Sequence, residues 1–189
     1  MSRTPALAAL LVTLWTAACA GAPGPAAGAP GSPSARPSLP ARPPPGVRLR
    51  PAAEAILSDQ VFGAPRRGGH DHLTAAQAAS EQPDQAAALA QFASWGWLDG
   101  SSRTWSTGDE VLVITARADD AARALEFWAR DAQGHCTDAA LAGLDDCRLG
   151  ITGDRAVVVG RLGPAVFRLQ CPARSAEPLA MAQAASLHA

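Results

Sequence analysis

Between Ala20 and Pro51 the chain consists almost entirely of Ala, Gly, Pro and Ser, broken by a few arginines. Such a segment cannot bury enough apolar surface to offset the conformational entropy lost on ordering, so it favours a disordered or polyproline-like tether. Independent folding is therefore expected only in residues 52–189. About 140 residues is an ordinary size for one compact domain, and the sequence predicts a single domain there.

A short apolar segment stands before this tether. Ala6 to Trp15 are largely apolar, an arginine precedes them, and the small residues Thr16-Ala17-Ala18 lie directly before Cys19. This arrangement is typical of a bacterial lipoprotein signal peptide, which is cut before a cysteine that then receives lipid. We therefore expect residues 1–18 to be a signal peptide and Cys19 to be acylated. Residues 19–51 would then tether the domain to the extracytoplasmic face of the cell membrane.

The same leader is compatible with ordinary secretion. Ala18-Cys19-Ala20 also satisfies a small-x-small cleavage pattern, which would release a protein that begins at Gly21. The apolar stretch of about ten residues is too short to cross a bilayer as a permanent helix. Lipid attachment at Cys19 is the favoured interpretation, and secretion is its alternative.

Charge argues against a nucleic-acid partner. The chain contains no lysine, and its 16 basic residues are all arginine, against 17 acidic residues and a formal net charge of −1. Apart from Arg66-Arg67 the arginines are scattered singly, so no basic stripe is formed. The absence of lysine is typical of a high-GC bacterial genome.

The remaining residues alternate between helix and strand patterns. Asp84 is a candidate N-cap, Gly134 a candidate helix terminator, and Gly153-Asp154 and Gly163-Pro164 are turn signals between apolar runs. The patterns predict helices over 73–80, 84–95, from Asp119 or Asp120 to Gly134, and 177–188; a β-hairpin with arms 101–106 and 110–117; and strands over 147–152, 155–162 and 165–171. This order indicates an α+β fold. We expect one antiparallel β-sheet, formed by the hairpin plus a three-stranded meander, with helices packed on a face.

Three cysteines lie in the folded part. Cys136 and Cys147 enclose a short loop, and an exported domain resides where disulfides persist. We favour a Cys136–Cys147 disulfide. The alternatives are a Cys147–Cys171 bridge, or Cys171 as a buried free thiol at the end of an apolar strand.

Four tryptophans, Trp95, Trp97, Trp105 and Trp128, are clustered within a short part of the chain. They could line a pocket for an apolar or sugar ligand. In that case we expect the pocket between the 84–95 helix and the sheet, near Trp97 and Trp105. The alternative is that these indoles fill a core whose alanine-rich helices leave volume to occupy.

Residues with catalytic or metal-binding chemistry do not form a recognisable pattern. His70-Asp71-His72 has two potential metal ligands, but neither they nor the distant His135 and Cys136 show diagnostic ligand spacing. Asp145-Asp146 lack the regularly spaced oxygens of a calcium loop. Neither a nucleophile elbow nor a phosphate-binding glycine loop is present in the sequence. We expect no catalytic residue, no metal site and no cofactor.

One block of the sequence resembles a family of secreted, often lipid-anchored proteins of high-GC Gram-positive bacteria. The resemblance rests on Ala88–Trp97, on Gly100, Arg103 and Trp105, and on Val111–Arg117 followed by the Asp/Ala-rich stretch Asp120–Trp128. It covers about 45 residues, and its motifs are not catalytic. It implies the same fold order and the same extracytoplasmic location.

These observations together predict a membrane-anchored extracytoplasmic domain that binds a small ligand or an envelope protein. Two alternatives stay open. One is a structural envelope module that acts through protein contacts, and the other is a metal-dependent hydrolase of the cell wall.

Overall fold

The computed structural model describes residues 48–141 and 143–189. In these residues the strands are β1 (Arg66–His70), β2 (Asp99–Trp105), β3 (Glu110–Thr115), β4 (Gly134–His135), β5 (Asp146–Thr152), β6 (Arg155–Leu162) and β7 (Ala165–Pro172). The helices are α1 (Ala52–Ala55), α2 (Asp59–Phe62), α3 (Ala75–Ser80), α4 (Gln85–Ser94), α5 (Ala121–Trp128), α6 (Asp138–Leu141) and α7 (Ala176–Leu187). The signal peptide, Cys19 and most of the tether lie outside the described residues.

All the strands belong to one antiparallel sheet in the order β1-β2-β3-β7-β6-β5-β4. The predicted hairpin is β2–β3, and the predicted meander is β5–β6–β7. Pairing of β3 with β7 joins the two, with Leu112 opposite Arg168. The prediction of an α+β fold with a single antiparallel sheet is confirmed.

Helices cover both faces of the sheet, whereas we expected them on one. The first face packs against α1, α6 and α7, and the second face packs against α3, α4 and α5. The reason lies in the central strands: on β3, Val111 and Val113 point to the first face while Leu112 and Ile114 point to the second. A strand that is apolar on both sides must be covered on both sides.

Capping residues start two helices of the second face, and the cap at Asp84 is the one that the sequence predicts. The Asp84 side chain accepts a hydrogen bond from the Ala87 amide at 2.9 Å, which starts α4. Thr74 starts α3 with a reciprocal bond to Gln77. Asp120 stands before α5, but its carboxylate makes no cap hydrogen bond there.

One predicted helix end is wrong, and one strand has no counterpart in the prediction. Gly134 does not end α5, which stops at Trp128, but pairs with Leu149 as part of β4, where a Cβ would come within 2.8 Å of the Leu149 carbonyl oxygen. Arg66–His70 lies outside the helices and strands that the sequence predicts, and it forms the edge strand β1. Both are short edge strands whose residues carry no apolar alternation, so no local pattern signals them.

The cysteine prediction is confirmed. Cys136 and Cys147 form a disulfide that links the segment after β4 to β5, with Cα atoms 5.6 Å apart. Cys171 is a free thiol at the end of β7 and is fully buried.

The two ends of the described chain meet. Leu49 pairs with His188, the Arg50 amide donates to the Leu187 carbonyl, and the Ala189 amide donates to the Arg48 carbonyl. Arg48, Leu49 and Arg50 are thus already paired, although the expected domain boundary was Ala52. In the described part of the chain, the helices are all too short or too polar to cross a membrane.

Candidate functional site

An aromatic cluster occupies the second face of the sheet. Phe92 of α4 lies at its centre, with its ring centroid 5.1 Å from those of Trp95, Trp97 and Phe127 and 5.8 Å from that of Trp128. The small side chains of the surrounding helices leave the volume that these rings fill. Most of this cluster is part of the core. Its outer residues Phe127 and Trp128 line one side of a groove that is described below.

Trp105 is in the opposite layer. It is fully buried on the first face, stacks on Phe62 with centroids 3.8 Å apart, and donates from Nε1 to the Asp59 carboxylate at 3.0 Å. The structure therefore does not bring Trp97 and Trp105 into one pocket. The physical reason is that β2 begins at Asp99, so Trp97 lies outside the strand that carries Trp105 and does not share its face.

A groove of about 270 Å³ opens over the second face, between the α3–α4 turn and the end of α5. Typical ligand pockets measure about 300–1,000 Å³, so this groove suits a small molecule. Its apolar lining comes from Leu73, Ala78, Leu112, Phe127 and Trp128. Its polar lining comes from Glu81, Gln82, Ser102, Glu110, Arg130, Asp131 and Arg168. We call this cavity the second-face groove.

Three neighbouring strands form the floor of the groove. Ser102 of β2, Leu112 of β3 and Arg168 of β7 are direct cross-strand partners in one row across the sheet. Glu110 lies two residues before Leu112 and therefore projects from the same face. The floor thus carries one hydroxyl, one apolar side chain and two opposite charges.

The end of α5 forms one wall. The Trp128 side chain lies on the inward stripe of this helix, and its Nε1 is buried without a hydrogen-bond partner among the described residues. Asp131 follows on a loop that lies directly over β5. Gly150 permits this close approach, because a Cβ at that position would overlap the Asp131 carbonyl oxygen.

The two guanidinium groups of the groove differ in the interactions that they make with the rest of the protein. Arg130 lies over the Phe127 ring at 4.1 Å and donates to the Gln91 side chain at 2.9 Å. Arg168 is half-buried, and within the described ranges its side chain makes neither a hydrogen bond nor an ion pair. Arg168 is therefore the positive charge that a ligand can use.

The acidic side chains of the groove are likewise unpaired in the part of the chain that the structure describes. Glu81, Glu110 and Asp131 take part in none of the ion pairs found there. Glu110 is half-buried on the floor, while Glu81 and Asp131 are exposed at the rim. The lining thus presents three carboxylates and two arginines, with acceptors and donors both free for a polar ligand.

The histidine-rich segment does not assemble a metal site. His70 lies on the exposed edge strand, and His72 is largely exposed, with its Nδ1 4.0 Å from Asp99. Asp145 is used by the fold, since it accepts hydrogen bonds from Arg161 and from the Gly163 amide. Between residues 48 and 189, leaving out 142, no group of three His, Cys, Asp or Glu side chains is placed to hold a metal ion.

Sequence reasoning missed the charged floor of the groove. Arg168 interrupts the apolar run Ala165–Cys171 on the second face, where its strand neighbours Val166 and Val159 are fully buried. A charged residue inside an otherwise apolar central strand is a usable signal, because such a position is rarely charged without a reason. Trp128 was noted, but only tertiary structure places it beside Arg168.

Comparison of this chain with protein-family models, with curated proteins and with solved structures found no match.

Proposed function

We propose that this protein is a lipid-anchored extracytoplasmic domain that binds a small ligand in the second-face groove and performs no catalysis. The observation that carries the proposal is a pair of half-buried side chains of opposite charge on the groove floor, Arg168 and Glu110, which lack protein partners among the described residues. A charge partly removed from water is costly unless an opposite charge or hydrogen bonds compensate it. A bound molecule would supply that compensation.

The shape and lining of the groove support binding of something small. At about 270 Å³ it lies below the usual range for a drug-sized ligand. Its lining of five apolar and seven polar side chains is more polar than that of a usual ligand pocket, so it suits a small polar molecule.

The proposed location of the protein rests on its sequence. The leader before Cys19 supports export, the lipid on that cysteine would hold the protein to the membrane, and the tether up to residue 51 would let the domain stand clear of the lipid surface. A binding domain at that location would meet small molecules of the envelope before they reach the membrane.

Native mass spectrometry of the protein, purified gently from the membranes of its own host, tests both parts. We expect a mature mass that begins at Cys19 and carries acyl groups, together with a non-covalent adduct of low mass. A bare mass that begins near Gly21 would overturn the anchor, and the lack of any adduct would count against the binding function.

A variant that fills the second-face groove tests whether the adduct binds there. Ser102→Phe places a ring on the groove floor, in a strand, where aromatic residues are common, and removes the hydrogen bond that the Ser102 hydroxyl accepts from the His70 amide. Thr152→Phe is the control, because Thr152 is an exposed strand residue of β5 and does not line the groove. We expect the adduct to be lost from the first variant and retained by the second. Retention in both would show that the groove is not the site.

A further inference from the structure

The floor of the second-face groove holds two opposite charges at a fixed separation. In the β3–β7 register, Leu112 is opposite Arg168 and Glu110 is opposite Gln170. Glu110 and Arg168 are therefore diagonal neighbours on one face, a relation that separates backbones by about 7–8 Å and lies within reach of long side chains. Nevertheless, their charged groups do not approach within 4.0 Å of one another.

The Glu110 and Arg168 side chains are both half-buried, so the lack of an ion pair between them needs an explanation. A charge removed from water is costly unless an opposite charge or hydrogen bonds compensate it. A neutral ligand would cover both side chains and compensate neither charge. A ligand with an ammonium and a carboxylate on one carbon would compensate both at once.

The lining residues fit the same molecule. The planar guanidinium of Arg168 presents two parallel N–H donors, which is the arrangement that a carboxylate accepts best. Glu81 and Asp131 add negative charge at the rim, which favours an ammonium group. Leu73, Ala78 and Leu112 provide an apolar surface for a side chain.

We propose that the second-face groove binds a free α-amino acid with an apolar side chain, its carboxylate held by Arg168 and its ammonium held by Glu110. This inference rests on the proposed binding function and adds the class of ligand. A peptide end would offer only one of the two charges, and the volume of the groove leaves little room for a longer chain.

Isothermal titration calorimetry of the full chain with three matched probes tests the inference. L-leucine carries both charges, leucinamide lacks the carboxylate, and 4-methylpentanoate lacks the amine. A charge-assisted hydrogen bond contributes about a ten- to hundredfold change in affinity. We expect L-leucine to bind more tightly than either of the other two by at least about that factor.

Charge-neutral variants assign the roles of the two residues. Arg168→Gln should weaken L-leucine about ten- to hundredfold and leave leucinamide little changed, while Glu110→Gln should weaken L-leucine to a similar extent and leave 4-methylpentanoate little changed. Arg67→Gln and Asp119→Asn are controls at exposed positions away from the groove, and both should bind as the parent does. Circular dichroism checks that each variant is folded.

The outcomes separate the two proposals. Equal binding of the three probes would overturn the zwitterion assignment. So would failure of all three to bind while the host-purified protein carries an adduct that Ser102→Phe removes, and in that case the binding function would stand. No probe binding and no adduct would overturn both.

Discussion

Arg103 is the residue that attaches the start of the domain to the sheet. Its Nη1 donates to the Leu57 carbonyl at 2.8 Å and to the Ile56 carbonyl at 3.4 Å, and its Nη2 donates to the Ala53 carbonyl at 3.4 Å. These carbonyls lie in and just after α1, a single turn whose last C=O groups have no partner within the helix. The arginine therefore completes the hydrogen bonding of a segment that could not complete it alone.

Removal of this guanidinium should be costly. We expect Arg103→Met to lower the free energy of unfolding by about 1–3 kcal/mol, because it leaves buried carbonyls unsatisfied. Urea denaturation measures the change. Arg67→Met on the exposed edge strand serves as the control, with an expected change within about 0.5 kcal/mol. Equal effects of the two substitutions would contradict the anchoring role.

Cys171 should be chemically inert in the native protein. Burial raises the pKa of this thiol to about 11 from an ordinary 9.0, and the nearby Asp109 carboxylate adds to the shift. The thiol therefore stays protonated near pH 8, where only a thiolate would react. We expect iodoacetamide to label Cys171 at pH 8 only after denaturation, with peptide mass spectrometry locating the label. Rapid labelling of the native chain would contradict its burial.

The same shift has a consequence for stability at high pH. A group whose pKa is raised in the folded state contributes stability that is fully present below the unfolded pKa. For Cys171 that contribution is lost as the pH rises from about 9 through about 11. Denaturation midpoints across this range should fall less steeply in Cys171→Ala than in the parent. Parallel curves would show that the thiol does not couple to folding.

At the scale of elements, the disulfide stabilises the short strand β4 at the edge of the sheet. β4 has only two residues, and Cys136 follows it directly and bonds to Cys147 on β5. We expect removal of the bridge in Cys136→Ala/Cys147→Ala to lower the free energy of unfolding by about 2–3 kcal/mol, the cost of releasing a loop of this length. Chemical denaturation of oxidised protein measures it. Cys171→Ala removes no cross-link and should cost less.

A second prediction concerns the pairing of β6 with β7. Gly160 is opposite Phe167, and a Cβ built on Gly160 would overlap the Phe167 ring, which is fully buried. We expect Gly160→Ala to cost about 1–3 kcal/mol through overpacking. At Gly68 on the edge strand β1, an added Cβ would meet nothing within 4 Å. Gly68→Ala should therefore be nearly neutral in thermal denaturation, and a loss equal to that of Gly160→Ala would refute the steric explanation.

At the scale of the whole molecule, one sheet is shared by two helical layers. Trp105 is buried in the layer on the first face, and Trp95 is buried in the layer on the second. Because β3, β6 and β7 contribute side chains to both layers, neither layer can lose its packing without exposing the other. We expect urea transitions followed by tryptophan fluorescence and by far-ultraviolet circular dichroism to coincide. Separate midpoints would show that one layer unfolds before the other.

The sequence by itself determined the elements whose signals are local. Asp84 predicts the start of α4, Gly153-Asp154 and Gly163-Pro164 predict the turns of the meander, and the spacing of Cys136 and Cys147 favours their disulfide. Each of these features depends on residues that are close in the chain, so it can be recognised before the fold is known. The assignment of the fold as α+β follows from the order of such elements.

Only the tertiary structure decided how these elements meet. The joining of β3 to β7 places Glu110, Arg168 and Trp128 around one groove, although no short segment contains them all. The edge strand β1 exists because β2 offers it a partner, and Trp97 and Trp105 are separated because the strand begins between them. Register and layer assignment come from contacts between distant residues, and a pattern read along the chain carries no information about those contacts.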